Sequence, residues 1–118
     1  MNGVGRDDGG GTVLAAGLAW VLLMLVLAVV ALGQAAVAAG KAATAADLSA
    51  LAAADAARGL TPGEPCDIAA NLAQRHGARL VACEVGGTGL DTVQVEVVLP
   101  SGLPWPAHGM ARAGPPPD

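Results

Sequence analysis

The residues best suited to chemistry in this chain are two cysteines and two histidines. His76 lies between Cys66 and Cys83, and His108 lies far downstream of both cysteines. Two cysteines with two distant histidines do not have the spacing of a four-ligand zinc site. The pattern therefore predicts neither a metal site nor a cofactor site.

The remaining polar residues do not form a catalytic motif. Neither histidine is close to a nucleophile motif, and the chain has no phosphate-binding loop of the form GxxxxGK[ST]. The glutamates Glu64, Glu84 and Glu96 stand alone in the sequence, which is typical of solvated surface charges. The sequence thus predicts no catalytic residue, no enzymatic activity and no small-molecule substrate.

Composition and length limit the classes of protein further. The chain has 118 residues and a net charge of -4, and its six lysines and arginines are scattered, which argues against a nucleic-acid partner. Tyr and Phe are absent, so that a soluble core must consist of Val, Leu, Ile and Ala. A chain of this length has room for one membrane anchor and one small module.

A membrane segment is the strongest prediction that the sequence makes. Residues 9–40 contain no charged side chain, and residues 18–32 consist entirely of Leu, Val, Ala, Met and Trp. The apolar residues surround the helix on all sides, as lipid requires, and do not form a single stripe. We expect a flexible glycine-bearing leader over residues 1–10 and a transmembrane helix over residues 11–33.

A secretory signal peptide is the alternative interpretation of this segment. The residues up to Gly33 satisfy the small-x-small rule, and cleavage before Gln34 would leave a small extracellular binding module whose hairpin and Trp105 contact a ligand. Against this, acidic residues offset Arg6 in the leader, and the apolar run is longer than a usual signal core. The retained anchor is the favoured interpretation.

The predicted helix does not end at the membrane. No helix-stopping residue occurs until Gly59, and Pro62 follows it, so that a helix of ~70 Å would extend well beyond the bilayer. Residues 34–58 form an alanine-rich continuation whose small side chains let another backbone approach closely; plain helix propensity is the alternative explanation. The candidates for helix packing are Ala35, Ala39, Ala42, Ala46, Leu48 and Leu51.

A small αββ module is predicted over residues 64–100. Pro65 starts a short helix and Gly77 ends it, and strands follow at residues 79–85 and 92–99. We expect Val81, Cys83 and Val85 to share the core face of the first strand. The tail, residues 101–118, is expected to be irregular, with residues 110–113 as a candidate third edge strand.

The cysteines allow two states at this point. If their side of the membrane is extracellular, Cys66 and Cys83 can form a disulfide that stabilises the small module by ~3 kcal/mol. Two free thiols are the other state. We favour the disulfide, because Cys83 is expected to face the core of the module and Cys66 lies at the start of the short helix, which can pack on the hairpin.

Three segments carry a resemblance to a known family: residues 8–14 entering the membrane, residues 45–54 in the stalk, and residues 111–115 near the end. With the two cysteines, they resemble the TadE-like proteins of the tight-adherence (Flp) type IV pilus system, in the short actinobacterial branch. The resemblance implies an α+β, pilin-like fold with a long membrane and stalk helix, a short helix and a β-hairpin.

The same resemblance implies a structural role as a minor pilin or pseudopilin in pilus assembly or the associated secretion apparatus. The implied partners are membrane lipid and other pilus or secretion components, contacted by lateral helix association. The implied location is the cell membrane, crossed once, with the carboxyl-terminal part outside. One residue departs from the pilin pattern: pilin-like precursors carry a glutamate five residues into the mature helix, and the first glutamate here is Glu64.

Overall fold

The computed structural model describes residues 8–116, and these form the predicted α+β fold. Two helices precede a three-stranded antiparallel sheet of order β1-β2-β3. The elements are α1 (Asp8–Ala57), α2 (Pro65–Arg75), β1 (Arg79–Gly86), β2 (Thr92–Leu99) and β3 (Ala107–Ala113). The residues group into two compact units that divide between Gly33 and Gln34, and α1 contributes to both.

Helix α1 has the predicted end and an earlier start than expected. It begins at Asp8, so that residues 8–10 of the expected leader are helical, and residues 1–7 of that leader lie outside the described part of the chain. At its end, Gly59 adopts φ +77°, and the amide of Leu60 donates to the carbonyl of Asp55. This is a Schellman termination, which explains why the helix stops at the first glycine after Gly40.

The sheet contains one strand more than the expected hairpin. Strand β3 pairs along its whole length with residues 93–99 of β2, and it starts three residues before the segment 110–113 that the sequence indicated. The expectation of an irregular tail is therefore wrong for residues 107–109, whereas the candidate strand over residues 110–113 is present. The strand signal is weak there because the alternating side chains that face the core are only alanine and glycine.

A β-bulge corrects the predicted face of β1. The register shifts between Leu80 and Ala82, so that Val81 has no partner on β2 and is 46% exposed. Leu80 and Cys83 pack against the core in its place, and Cys83 stands opposite Val95. A bulge adds one residue to a strand and shifts the alternation beyond it, which sequence periodicity does not reveal.

The core of the second unit lies between the sheet and the helices and contains no aromatic side chain among the described residues. Strand β2 supplies its largest members, which are at most 7% exposed: Val93, Val95, Val97 and Leu99. The opposing helices supply alanines from α1, together with Ala69 and Ala73 from α2. The predicted inward face of β2 is confirmed.

Strand β3 passes close to the backbone of helix α1 in this core. The residues of β3 that face the core are all small: Ala107, Gly109, Ala111 and Ala113. A Cβ atom on Gly109 would overlap the backbone carbonyl group of Ala42. Glycine is therefore required at position 109 because there is no room for a side chain. Its φ is not positive, so backbone conformation is not the reason.

The predicted disulfide between Cys66 and Cys83 is confirmed. It connects the first turn of α2 to the core face of β1, across a sequence separation of 17 residues. Because the core consists mainly of Ala and Val, the covalent link supplements a small hydrophobic stabilisation.

One polar side chain is buried in the alanine face of α1. Ser49 is 0% exposed, and its hydroxyl has no hydrogen-bond partner. A buried hydroxyl without a partner keeps its desolvation cost, which is about 1–3 kcal/mol.

Loss of the disulfide is expected to destabilise the second unit by about 3 kcal/mol, because a bridge of this span restricts the unfolded chain. The double variant Cys66→Ala/Cys83→Ala should therefore unfold at a clearly lower temperature in mild detergent. Alkylation provides the check on the native chain: a mass increase without prior reduction would show free thiols.

Gly109→Ala is expected to cost about 2–3 kcal/mol, because the new methyl group pushes β3 away from the helix backbone and opens the core. Gly40→Ala is the matched control, since nothing lies within 4 Å of a Cβ atom there. In the middle of a helix that substitution should stabilise by about 0.5–1 kcal/mol. Thermal unfolding followed by circular dichroism compares the two; equal midpoints would contradict the close contact.

Ser49→Ala is expected to raise the unfolding temperature, because it removes an unpaired hydroxyl and improves helix propensity. The two effects together should raise the free energy of unfolding by about 1 kcal/mol. Ser49→Leu should lower it, since the site has no room for a larger side chain. A destabilised Ser49→Ala variant would show that the hydroxyl has a partner in solution.

Candidate membrane anchor and assembly surface

The amino-terminal part of α1 presents a continuous apolar surface. Between Val13 and Leu32, every Val, Leu, Met and Trp side chain is 43–75% exposed. Soluble monomers rarely expose apolar patches of that size, whereas lipid accepts a helix that is apolar on all sides. A helix also pairs its own backbone amides and carbonyls, as the bilayer interior requires.

The length and the charge distribution of this segment fit a bilayer. Within residues 8–116, α1 is the one helix that is long and apolar enough to cross a membrane. Residues 9–33 alone would span about 37 Å, which exceeds the ~30 Å of a hydrocarbon core. Asp8 and Lys41 are the nearest charges on either side, so that insertion would desolvate no ionised group.

The inner face of α1 after Gly33 belongs to the core of the second unit. Two of the six helix-packing candidates, Ala42 and Ala46, are 0% exposed and pack within that core. Small side chains allow a neighbouring backbone to approach closely, and the neighbour that comes close to Ala42 is β3 of the same chain. These two residues are consequently unavailable to another subunit while the unit is folded.

Of the other four candidates, Leu48 and Leu51 lie on the outer face of α1, together with one further apolar residue. Ala35 is half-buried, whereas Ala39, Leu48 and Leu51 are exposed. Val37, which is 59% exposed, lies on the same side of the helix as Leu48 and Leu51 by the 3.6-residue repeat. That these exposed residues contact a second protein stays a prediction.

Among the described residues, the charged and histidine side chains of the second unit are all exposed or half-buried. No group of three or more His, Cys, Asp or Glu side chains there could hold a metal ion. The Nδ1 atom of His108 lies 3.6 Å from Oε1 of Glu96 on the sheet face away from the core, and both side chains are accessible to solvent. Three further side chains are exposed to solvent: Glu64, His76 and Glu84.

The sequence patterns did not indicate Gly109 or the first three residues of β3, although residues 110–113 were a candidate strand. A period-two signal was present, because small residues alternate with His108, Met110 and Arg112 over residues 107–113. Small residues at the core positions alternate with larger or polar residues at the outer positions. Because the core positions hold alanine and glycine where strands usually have Val, Ile or Leu, the usual strand pattern is absent.

Comparison with known families gives one match. Residues 9–56, less than half of the chain, match the model of the Flp pilus-assembly TadE/G-like family, Tad. The resemblance expected from the sequence is thereby confirmed over these residues, which coincide closely with α1. No curated protein and no solved structure matches the chain.

Proposed function

We propose that the chain is a membrane-anchored, pilin-like structural subunit of a Flp pilus or of a related secretion apparatus. The observation that carries this proposal is the family match over residues 9–56, because that region contains both the exposed apolar segment and the alanine-rich continuation. The description of the family refers to pilus assembly, which is a structural role and not an enzymatic one.

In this proposal the two parts of α1 have separate tasks. Residues 11–33 cross the bilayer, and residues 34–58 form part of the second unit. The inner face of the second part holds its own sheet, whereas Val37, Leu48 and Leu51 remain exposed for lateral contact with other pilus components.

The disulfide supports a location of the second unit outside the cytoplasm. Bridges such as Cys66–Cys83 form and persist in oxidising compartments and are rare in the cytosol. The carboxyl-terminal part is therefore proposed to be extracellular, and the chain to cross the membrane once.

Leu51→Lys tests the lateral contact. Leu51 is 56% exposed, and the new lysine lies four residues from both Asp47 and Asp55, so that the helix itself should be slightly stabilised. Removing an apolar contact of this size costs about 1.5–3 kcal/mol, or roughly a tenfold to hundredfold loss of affinity. Leu60→Lys is the matched control, because that leucine is 66% exposed and lies beyond the helix.

The measurement is co-purification with pilus components after extraction in mild detergent from the natural host. The parent chain and Leu60→Lys should retain those components, and Leu51→Lys should lose them while its disulfide and circular dichroism spectrum are unchanged. Recovery of the parent chain as a lone monomer would contradict the proposed function.

A further inference from the structure

One end of the second unit collects several chain segments around Gln34, and it is called here the Gln34 end. A Cβ atom on Gly102 would lie 3.0 Å from Oε1 of Gln34, so that the loop between β2 and β3 lies beside the start of this unit. The prolines that close this loop, Pro100 and Pro106, line one groove with Arg79 at the start of β1. The Gln34 end is therefore made by the start of β1, the end of α2 and the loop of residues 100–106.

The basic residues Lys41, Arg75 and Arg79 are placed at this end. Lys41 lines a second open groove together with Arg75 and His76, which lie at the carboxyl end of α2. All three basic side chains are exposed, and none forms an ion pair with an acidic group of the described residues. Positive charge thus accumulates where the chain enters the second unit.

The acidic residues lie mainly at the opposite end. This end comprises the end of α1, the start of α2 and the turn between β1 and β2, and its acidic members are Asp55, Glu64, Asp67, Glu84 and Asp91. Arg58 and Arg112 are also located there, Arg112 in a groove with Asp91. The second unit is consequently polarised, with its positive side at Gln34.

An exposed aromatic residue is located on the same loop. Trp105 is 61% exposed between two prolines, and no residue from Pro100 to Ala107 is charged. The hydroxyl of Ser101 donates to the carbonyl of Trp105 and accepts from the amide of Leu103, which closes the loop on itself. Tryptophan favours the boundary between lipid and water, where its ring is buried and its N–H group is hydrated.

We propose that the Gln34 end binds the surface of an anionic lipid bilayer, with Lys41, Arg75 and Arg79 at the headgroup phosphates and Trp105 at headgroup depth. The inference rests on the proposed membrane anchor, because Gln34 directly follows the uncharged apolar residues. Lys41 follows Gln34 by about 10 Å of helix, which is one Debye length at 0.1 M salt. Covalent attachment keeps the lipid surface within reach of this end at all times.

The test uses the full chain carrying Trp20→Leu, which leaves Trp105 as the sole tryptophan. The chain is reconstituted into vesicles of phosphatidylcholine or of an equal mixture of phosphatidylcholine and phosphatidylglycerol. In the mixed vesicles we expect Trp105 emission to shift to the blue and its quenching by aqueous acrylamide to fall. About 1 M salt should reverse both changes, because it shortens the Debye length to about 3 Å.

Charge variants show whether the basic end causes the effect. Each basic residue near an anionic surface strengthens binding roughly fivefold, so the triple variant Lys41→Gln/Arg75→Gln/Arg79→Gln should lose the difference between the two vesicles. The matched control is Arg58→Gln/Arg112→Gln, which removes basic residues from the opposite end and should behave like the parent. An equal loss in that control would overturn the proposal.

The outcomes separate this inference from the proposed function. If the chain resists alkaline extraction but Trp105 is equally accessible in both vesicles, the anchor stands and lipid binding by the Gln34 end is wrong. If alkaline extraction releases the chain, the anchor itself is wrong. If Trp105 stays in water while the triple variant loses co-purifying pilus components, the basic end binds an acidic protein, and the lipid proposal is overturned.

Discussion

The contact between Gly109 and the backbone of Ala42 sets the distance between sheet and helix in the second unit. A sheet can lie this close to a helix only if neither surface carries a large side chain at the crossing. For this reason the buried positions of α1 are alanines and Ser49, and the facing positions of β3 are alanines and Gly109. The valines of β2 then fill the space beside the crossing, and α2 completes the core through the disulfide to β1.

The same constraint divides the surface of α1 between folding and assembly. A helix of small residues suggests close packing against another molecule, but here Ala42 and Ala46 are occupied within the chain. The surfaces of α1 that stay exposed are the outer side with Leu48 and Leu51 and the apolar segment before Gly33. The second unit is stabilised by the Cys66–Cys83 disulfide and by the contact of Gly109 with Ala42. Its core therefore uses neither the outer side of α1 nor the apolar segment before Gly33.

Local patterns predicted most of the fold. The stop at Gly59, the short helix from Pro65 and the alternation of β2 each depend on neighbouring residues, and all three match the structure. The bulge at Val81 and the crossing of β3 over α1 depend on residues distant in sequence, which periodicity does not detect. For the candidate surface, the sequence identified small residues suited to packing, but it could not decide between a partner in the same chain and one in another chain.

The central claim is that one helix serves both the membrane and the folded unit, and the mature amino terminus tests it most directly. The core of the second unit uses α1 only from Ala38 onward, so that a cut before Gln34 would leave that core complete and remove the anchor. Intact mass and terminal sequencing of the protein isolated from its host distinguish these cases. We expect a mature chain in which residues 18–32 are retained, and a mature protein that begins at Gln34 would contradict this expectation.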